Sequence, residues 1–422
     1  MDGYLAINHV PVGTLRAGRF RAIGDLWLTD IRAMVKAGRE YGFGVSFAVP
    51  VVEDVVAHGG SFTVTEVDAM EEGIVVHELP FVNSLRGLVA NSGQIRRSVA
   101  AAAKGSAVAQ MDYGGHPTGL GQIVWDTRSV ADTARIWIFD GADPFDRLEL
   151  HAESQPNPLR RIVWRCHNAR FGRFCNRVLS EADLVFAHNE SVVTRFRAHW
   201  SPETCHLFPR SFVTSDIISD ASEALVRALS RSPSDPFRIV VLCRQIRIKG
   251  TDRVIRAVYK ARALGIDIRL DVYGDGEDLE LFRDLAADLG LGSSVEFKGL
   301  IPYGPKLFEV IRHANAIAVT NLTSEISRNV MLTLALGTPL ISYFNAGTKD
   351  LLNCENSVVV SPDSDDDLVH AMISLQKAPG LCAKLAVNGI EVAKTNTLDA
   401  THRRRMELAR QVVERRRPVP AR

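Results

Sequence analysis

The chain has 422 residues, 46% hydrophobic and 23% charged, with 31 glycines and 18 prolines, which excludes collagen-like, disordered and low-complexity classes and suggests two or three domains. With 50 basic and 49 acidic side chains the formal charge is +1, so a uniformly basic nucleic-acid binder is not supported. No apolar run reaches the ~18 residues that span a bilayer, the first residues lack a basic signal-peptide start, and the six cysteines form no C-x-x-C pair; a reducing, cytoplasmic setting without disulfides or a zinc ribbon is expected.

Short Val- and Ile-rich runs alternate with stretches of helical period, the pattern of an α/β chain with parallel sheets. In the first half the expected strands are 5–10, 44–52, 74–79, 135–139, 162–165 and 184–188, with helices at 25–40 and 85–103. Between 210 and 235 the pattern weakens into Ser, Asp and Pro, including Ser232-Pro233-Ser234-Asp235-Pro236, and an interdomain linker is placed at 211–236. The second half restarts with strands at 237–243, 266–273, 295–298, 317–320 and 339–343, and helices at 252–264 and 278–289. Two domains of similar size follow, 1–210 and 237–395, with a basic tail at 396–422.

In open parallel sheets, ligands bind beyond the carboxyl ends of the strands, so the loops there carry the chemistry. The loop after the strand at 237–243 runs Arg244-Gln245-Ile246-Arg247-Ile248-Lys249-Gly250 into a helix whose expected N-cap is Thr251. Cations beside the unpaired N–H groups of a helix N-terminus form either an anion clamp or a solvated basic loop. Next comes Gly274-Asp275-Gly276-Glu277-Asp278, with Leu279 where a dinucleotide fingerprint has its third glycine; a structural turn is the favoured reading. The fourth loop, Thr320-Asn321-Leu322-Thr323-Ser324-Glu325, leads into a helix that Ser324 is expected to cap.

Taken in order, Arg244, Lys249-Gly250, Gly274-Asp275-Gly276, the strand Val295-Glu296-Phe297-Lys298-Gly299, and Ser324-Glu325 followed by Ala335-Leu336-Gly337-Thr338-Pro339 resemble the nucleotide-sugar-binding domain of GT-B glycosyltransferases, specifically retaining family 4, or group 1, over about 235–395. The resemblance implies two Rossmann-like domains whose parallel sheets face a central cleft. It also implies that Arg244 and Lys249 neutralise the donor diphosphate, that Glu325 lies near the transferred sugar, and that anomeric configuration is retained. Gly274, Gly276, Arg328, Asn329 and Thr333 fall on the donor side. The chain departs from the family at Thr333, where the signature has its second Glu, and at Ile326 and Arg328, where it has glycines. Arg328 either recognises an anionic group or snorkels to solvent.

The first domain matches less closely. Its loop at 11–24 contains Gly13, Gly18 and Gly24 with Arg16, Arg19 and Arg21, and in the resembled family this loop approaches donor phosphate and acceptor; Gly24 is alternatively an ordinary helix-start glycine. His167 follows the expected strand at 162–165, where the family has a strand-end His facing the donor sugar, and it is read as catalytic or structural. His116, Asp140 and Asp143 are further candidates by position.

Residues 160–177 hold six arginines and no acid, and residues 401–422 hold eight arginines against Glu407 and Glu414. Removing these two segments of +6 from the total of +1 leaves −11 for the remainder. Each is a candidate for peripheral contact with an anionic membrane, at the inner face, or a solvated helix face. The expected activity is transfer of a sugar from a nucleoside diphosphate to a glycan or lipid-linked acceptor, in cell-surface polysaccharide or glycoconjugate biosynthesis. No essential metal or cofactor and no nucleic acid is expected. The alternatives are a non-catalytic scaffold of the same fold in a glycan-assembly complex, and a same-fold epimerase or phosphorylase.

Overall fold

The computed structural model describes residues 1–16, 18–55, 64–82, 84–112, 120–139, 144–153, 155, 157–209, 211–232, 234–324 and 326–416. They divide into two units, one running from Met1 to Phe208 and joined by the segment from Leu398, the other spanning Pro209–Thr397.

In the first unit the strands are β1 (Asp2–Ile7), β2 (Val12–Gly13), β3 (Arg19–Ile23), β4 (Phe43–Val52), β5 (Val64–Asp68), β6 (Val75–Pro80), β7 (Ser106–Asp112), β8 (Ala134–Phe139), β9 (Leu184–Ala187) and β10 (Cys205–Leu207). Eight of them form a parallel sheet in the order β10-β9-β8-β7-β1-β4, with β2 and β6 both paired to β4, while β3 and β5 pair antiparallel. The chain winds one way from β1 through β4 to β6 and the other way from β7 to β10, so the topology reverses between β1 and β7. Side chains alternate across β1: Tyr4 and Ala6 enter one core, Leu5 and Ile7 the other. Burial on both faces is why such strands read as unbroken apolar runs.

The helices Asp25–Glu40 and Leu85–Ala103 occupy the expected positions. The C-terminal helix Leu398–Arg416 packs on Asp25–Glu40 and buries Met406, Ala409 and Val413, a helical stripe, beside Tyr4 and Phe43. Its arginines are largely occupied there. Arg403 meets Glu40 at 2.8 Å, Arg410 meets Asp2 at 2.5 Å, and Arg416 meets Asp183 at 2.8 Å. The buried Arg405 guanidinium donates to His188 Nε2 at 2.8 Å between the rings of Phe186 and Phe208.

Three readings of the sequence need correction. The expected strand at 162–165 lies inside a 24-residue helix, Pro158–Glu181, because Asn157 caps it and Pro158 occupies its first turn. Residues 11–24 are not one loop, since β2 and β3 lie within them and Arg19 pairs with Asp68 at 3.3 Å. The expected linker at 211–236 is largely folded onto the second unit: the helix Ala221–Leu229 packs against Pro379–Thr395, and Arg227 donates to the carbonyls of Leu336 and Gly337 at 2.8 and 3.0 Å.

The second unit's strands are β11 (Phe237–Leu242), β12 (Ile268–Tyr273), β13 (Val295–Gly299), β14 (Ala316–Val319), β15 (Leu340–Tyr343) and β16 (Val358–Val360). They form a parallel sheet in the order β13-β12-β11-β14-β15-β16, the doubly wound Rossmann order with its reversal between β11 and β14. Ile239 and Val241 face one core, and Val240 and Leu242 the other.

Candidate functional site

At the carboxyl end of β11 the chain enters Cys243-Arg244-Gln245 and then the one-turn helix Arg247–Lys249. Gln245 is fully buried and organises the segment: its amide nitrogen donates to the carbonyls of Cys243 and Tyr273 at 3.0 and 2.9 Å, and its Oε1 accepts from the Thr251 hydroxyl at 2.9 Å. A buried amide pays its desolvation cost back only when satisfied in this way. The helix Thr251–Ala263 is therefore capped by Gly250, not by Thr251, whose side chain serves Gln245.

Gly250 has φ 71°, and a Cβ there would lie 2.4 Å from the Thr320 carbonyl oxygen beyond β14. The Thr320 hydroxyl donates to the carbonyls of Lys249 and Gly250 at 3.0 and 3.1 Å, and Leu322 N donates to Ile248 O at 2.9 Å. The loops after β11 and β14 are thus fastened together across the point where the sheet reverses. Lys249 lies close enough to Cys243 for its charge to oppose the upward push that burial gives the thiol. Arg244 is exposed and paired at 2.5 Å with the equally exposed Glu277, a pair weak enough to exchange for a stronger anion.

Gly274 and Gly276 have a packing use in the structure. Their absent side chains let the loop after β12 lie against the loop after β11: a Cβ on Gly274 would meet Cys243 O at 1.8 Å, and one on Gly276 would meet Gln245 O at 2.4 Å. This is the structural turn that the sequence favoured.

The helix after β14 begins at Arg328, and its cap is Ser327, which accepts from Asn329 N, rather than Ser324. Asn329 bridges back to the last carbonyl of β11, Leu242 O. Arg328 is exposed, with its guanidinium 6.0 Å from the Phe212 ring centroid. Burial pushes the neighbouring Tyr303 hydroxyl up to about 12, against the pull of Arg328, and that hydroxyl donates to Phe212 O at 3.1 Å. Thr333 lies in the core, and its buried Oγ1 has no partner among the described residues. Glu325 lies outside the described residues. The second unit thus assembles Arg244, Lys249, Arg328 and Asn329 on elements that meet at one switch point.

In the first unit the corresponding position holds a pair that sequence reading missed. His9, just beyond β1, bonds through Nδ1 to Asp112, the last residue of β7, at 2.9 Å. The signal was a His and an acid ending two adjacent strands, but β7 was not recognised. A carboxylate on Nδ1 holds the proton there and makes Nε2 the basic nitrogen. Gly24 is the N-cap of Asp25–Glu40 with φ 78°, the ordinary helix-start role. His167 is within a helix, edge-on to Trp164 at 5.5 Å, and not at a strand end. A histidine that directly follows a strand in that part of the chain is His188, after β9, whose Nδ1 bonds Phe208 O at 3.0 Å. His116, Asp140 and Asp143 lie outside the described residues.

Residues 224–392 match the model of the family described as glycosyl transferases group 1. A GDP-mannose-dependent alpha-(1-6)-phosphatidylinositol monomannoside mannosyltransferase of Mycolicibacterium smegmatis is 26% identical over 256 residues, 56% of this chain and 66% of the relative. The chain spans no more than about two thirds of the length of the curated relatives it matches. Among solved structures, a glycosyltransferase from Rickettsia africae superposes with a TM-score of 0.68 at 14% identity, covering 98% of this chain and 100% of the other. HepE of Anabaena, solved with UDP, gives 0.64 at 14% identity over 96% and 98%. The two Rossmann-like units are those of the GT-B fold.

Proposed function

From a group 1 glycosyl transferase domain in its second unit and a GT-B fold over its length, we propose that the chain transfers a sugar from a nucleoside diphosphate donor to a glycan or lipid-linked acceptor in cell-surface glycoconjugate biosynthesis. The carrying observation is the switch point between β11 and β14, where Arg244, Lys249 and the helix beginning at Arg328 converge on fastened loops. As the anomeric C–O bond breaks, its electron pair leaves with the diphosphate, and negative charge grows where these cations stand. Arg244 and Lys249 would supply the neutralisation that a divalent ion supplies elsewhere, so the reaction is proposed to need no metal. Arg244 would leave Glu277 for the donor.

On the acceptor side we assign the His9–Asp112 pair, which can take a hydroxyl proton at Nε2 as the new glycosidic bond forms. Retention of configuration follows from the resemblance and is decided by the anomer of the product. The relative from Mycolicibacterium, named for a phosphatidylinositol monomannoside, supports a lipid-linked acceptor. The buried Thr333 favours a second reading, a non-catalytic scaffold. Turnover assays over nucleotide sugars and membrane extracts decide between them. Arg244→Ala and Lys249→Ala should each lower transfer about a hundredfold while leaving the melting temperature nearly unchanged, in the range seen when one charge-stabilising donor is removed; turnover like that of the unmodified chain in both would sink the assignment.

A further inference from the structure

The two arginine-rich segments have opposite fates. Most arginines of Leu398–Arg416 are spent on Asp2, Glu40, Asp183 and His188 of the first unit. Those opening the helix Pro158–Glu181 are not. That helix is anchored by its second half, where Phe171, Cys175, Val178 and Leu179 enter the core. Its first 13 residues, about 20 Å of helix, bury nothing fully.

On this stretch Leu159, Ile162 and Val163 are 72%, 57% and 66% exposed. At 3.6 residues per turn they fall, with the exposed Cys166, on one arc about 100° wide, flanked by Arg160 on one side and Arg165 on the other. Arg161 donates to the Gln155 carbonyl, and among the described residues none of Arg160, Arg161, Arg165, Arg170 and Arg173 has an acidic partner. The first turn carries no acid, although a helix N-terminus favours one and disfavours cations. Neither the core nor the helix itself is served by this choice of residues.

We propose that the first half of the helix Pro158–Glu181 is a docking surface for an anionic phospholipid bilayer, with Leu159, Ile162 and Val163 entering the headgroup boundary and the flanking Arg160 and Arg165 gripping lipid phosphates. Charge complementarity selects this occupant: an interfacial helix pairs a narrow apolar face with flanking cations, and the arginine fork suits phosphate. The rest of the chain beyond the two basic segments carries −11 and would be repelled, so attachment is confined to this patch. The inference deepens the proposed use of a lipid-linked acceptor and places that acceptor's membrane beside the first unit.

The test is co-sedimentation of the full chain with vesicles of phosphatidylcholine containing about a third phosphatidylglycerol, against pure phosphatidylcholine. Binding should require the anionic lipid and weaken with salt. The triple change Leu159→Ser, Ile162→Ser, Val163→Ser and the double change Arg160→Gln, Arg165→Gln should each weaken it at least tenfold with an unchanged melt. Arg404→Gln, in the tail, should leave it as it is. Absent binding, equal binding to both vesicles, wild-type binding by the triple variant, or a dimer that the triple variant abolishes would overturn the proposal. No donor is needed, so this result is independent of whether transfer itself is observed.

Discussion

Both units wind a parallel sheet outward from a central first strand, yet the places where their topology reverses are furnished differently. Between β11 and β14 the chain fastens backbone to backbone beside loops that carry cations: Gly250 lies against Thr320, and Asn329 reaches Leu242 O. Between β1 and β7 it brings an imidazole to a carboxylate. In the proposed reaction the first would receive negative charge and the second would handle a proton. Shared topology therefore fixes where chemistry happens without fixing which chemistry.

The sharpest way to break this contrast is at the fastening itself. Gly250→Ala forces a left-handed backbone on a residue with a Cβ and drives that Cβ into Thr320 O, so stability should fall by about 2–4 kcal/mol. Gly265, with φ 82° and no neighbouring atom within 4 Å, is the control: Gly265→Ala meets only the backbone penalty of about 1 kcal/mol. Chemical denaturation of both variants checks this, and equal losses would show that the loops after β11 and β14 are not held by close approach. The two ends should also separate functionally. His9→Gln and Asp112→Asn should lower transfer about tenfold or more, flatten the acid limb of its pH profile and leave nucleotide affinity unchanged; weakened nucleotide binding would instead assign the pair to the donor.

The same contrast explains what the sequence disclosed. β14 read clearly because a strand buried on both faces, here Ala316–Val319, is an unbroken apolar run. β7 did not, since SAVAQMD interrupts its apolar residues with Ser106, Gln110 and Asp112; its loss hid the His9 partner. The run at 162–165 imitated a strand because its apolar residues face solvent on a helix, while the decisive signal, Asn157-Pro158, lay several residues upstream. Of the candidate site, the cations were visible as types in order. The buried hub Gln245 was not, because one amide among polar loop residues carries no periodicity.

The central claim is that the second unit's switch point holds a nucleoside diphosphate through Arg244 and Lys249. Titration calorimetry of the full chain with UDP and with GDP tests it directly. The account predicts saturable heat with at least one of them without added metal, and affinity at least tenfold weaker in the Arg244→Ala, Lys249→Ala double variant, a change of about 1.4 kcal/mol. No heat with either nucleotide, or identical affinity in the double variant, would contradict it.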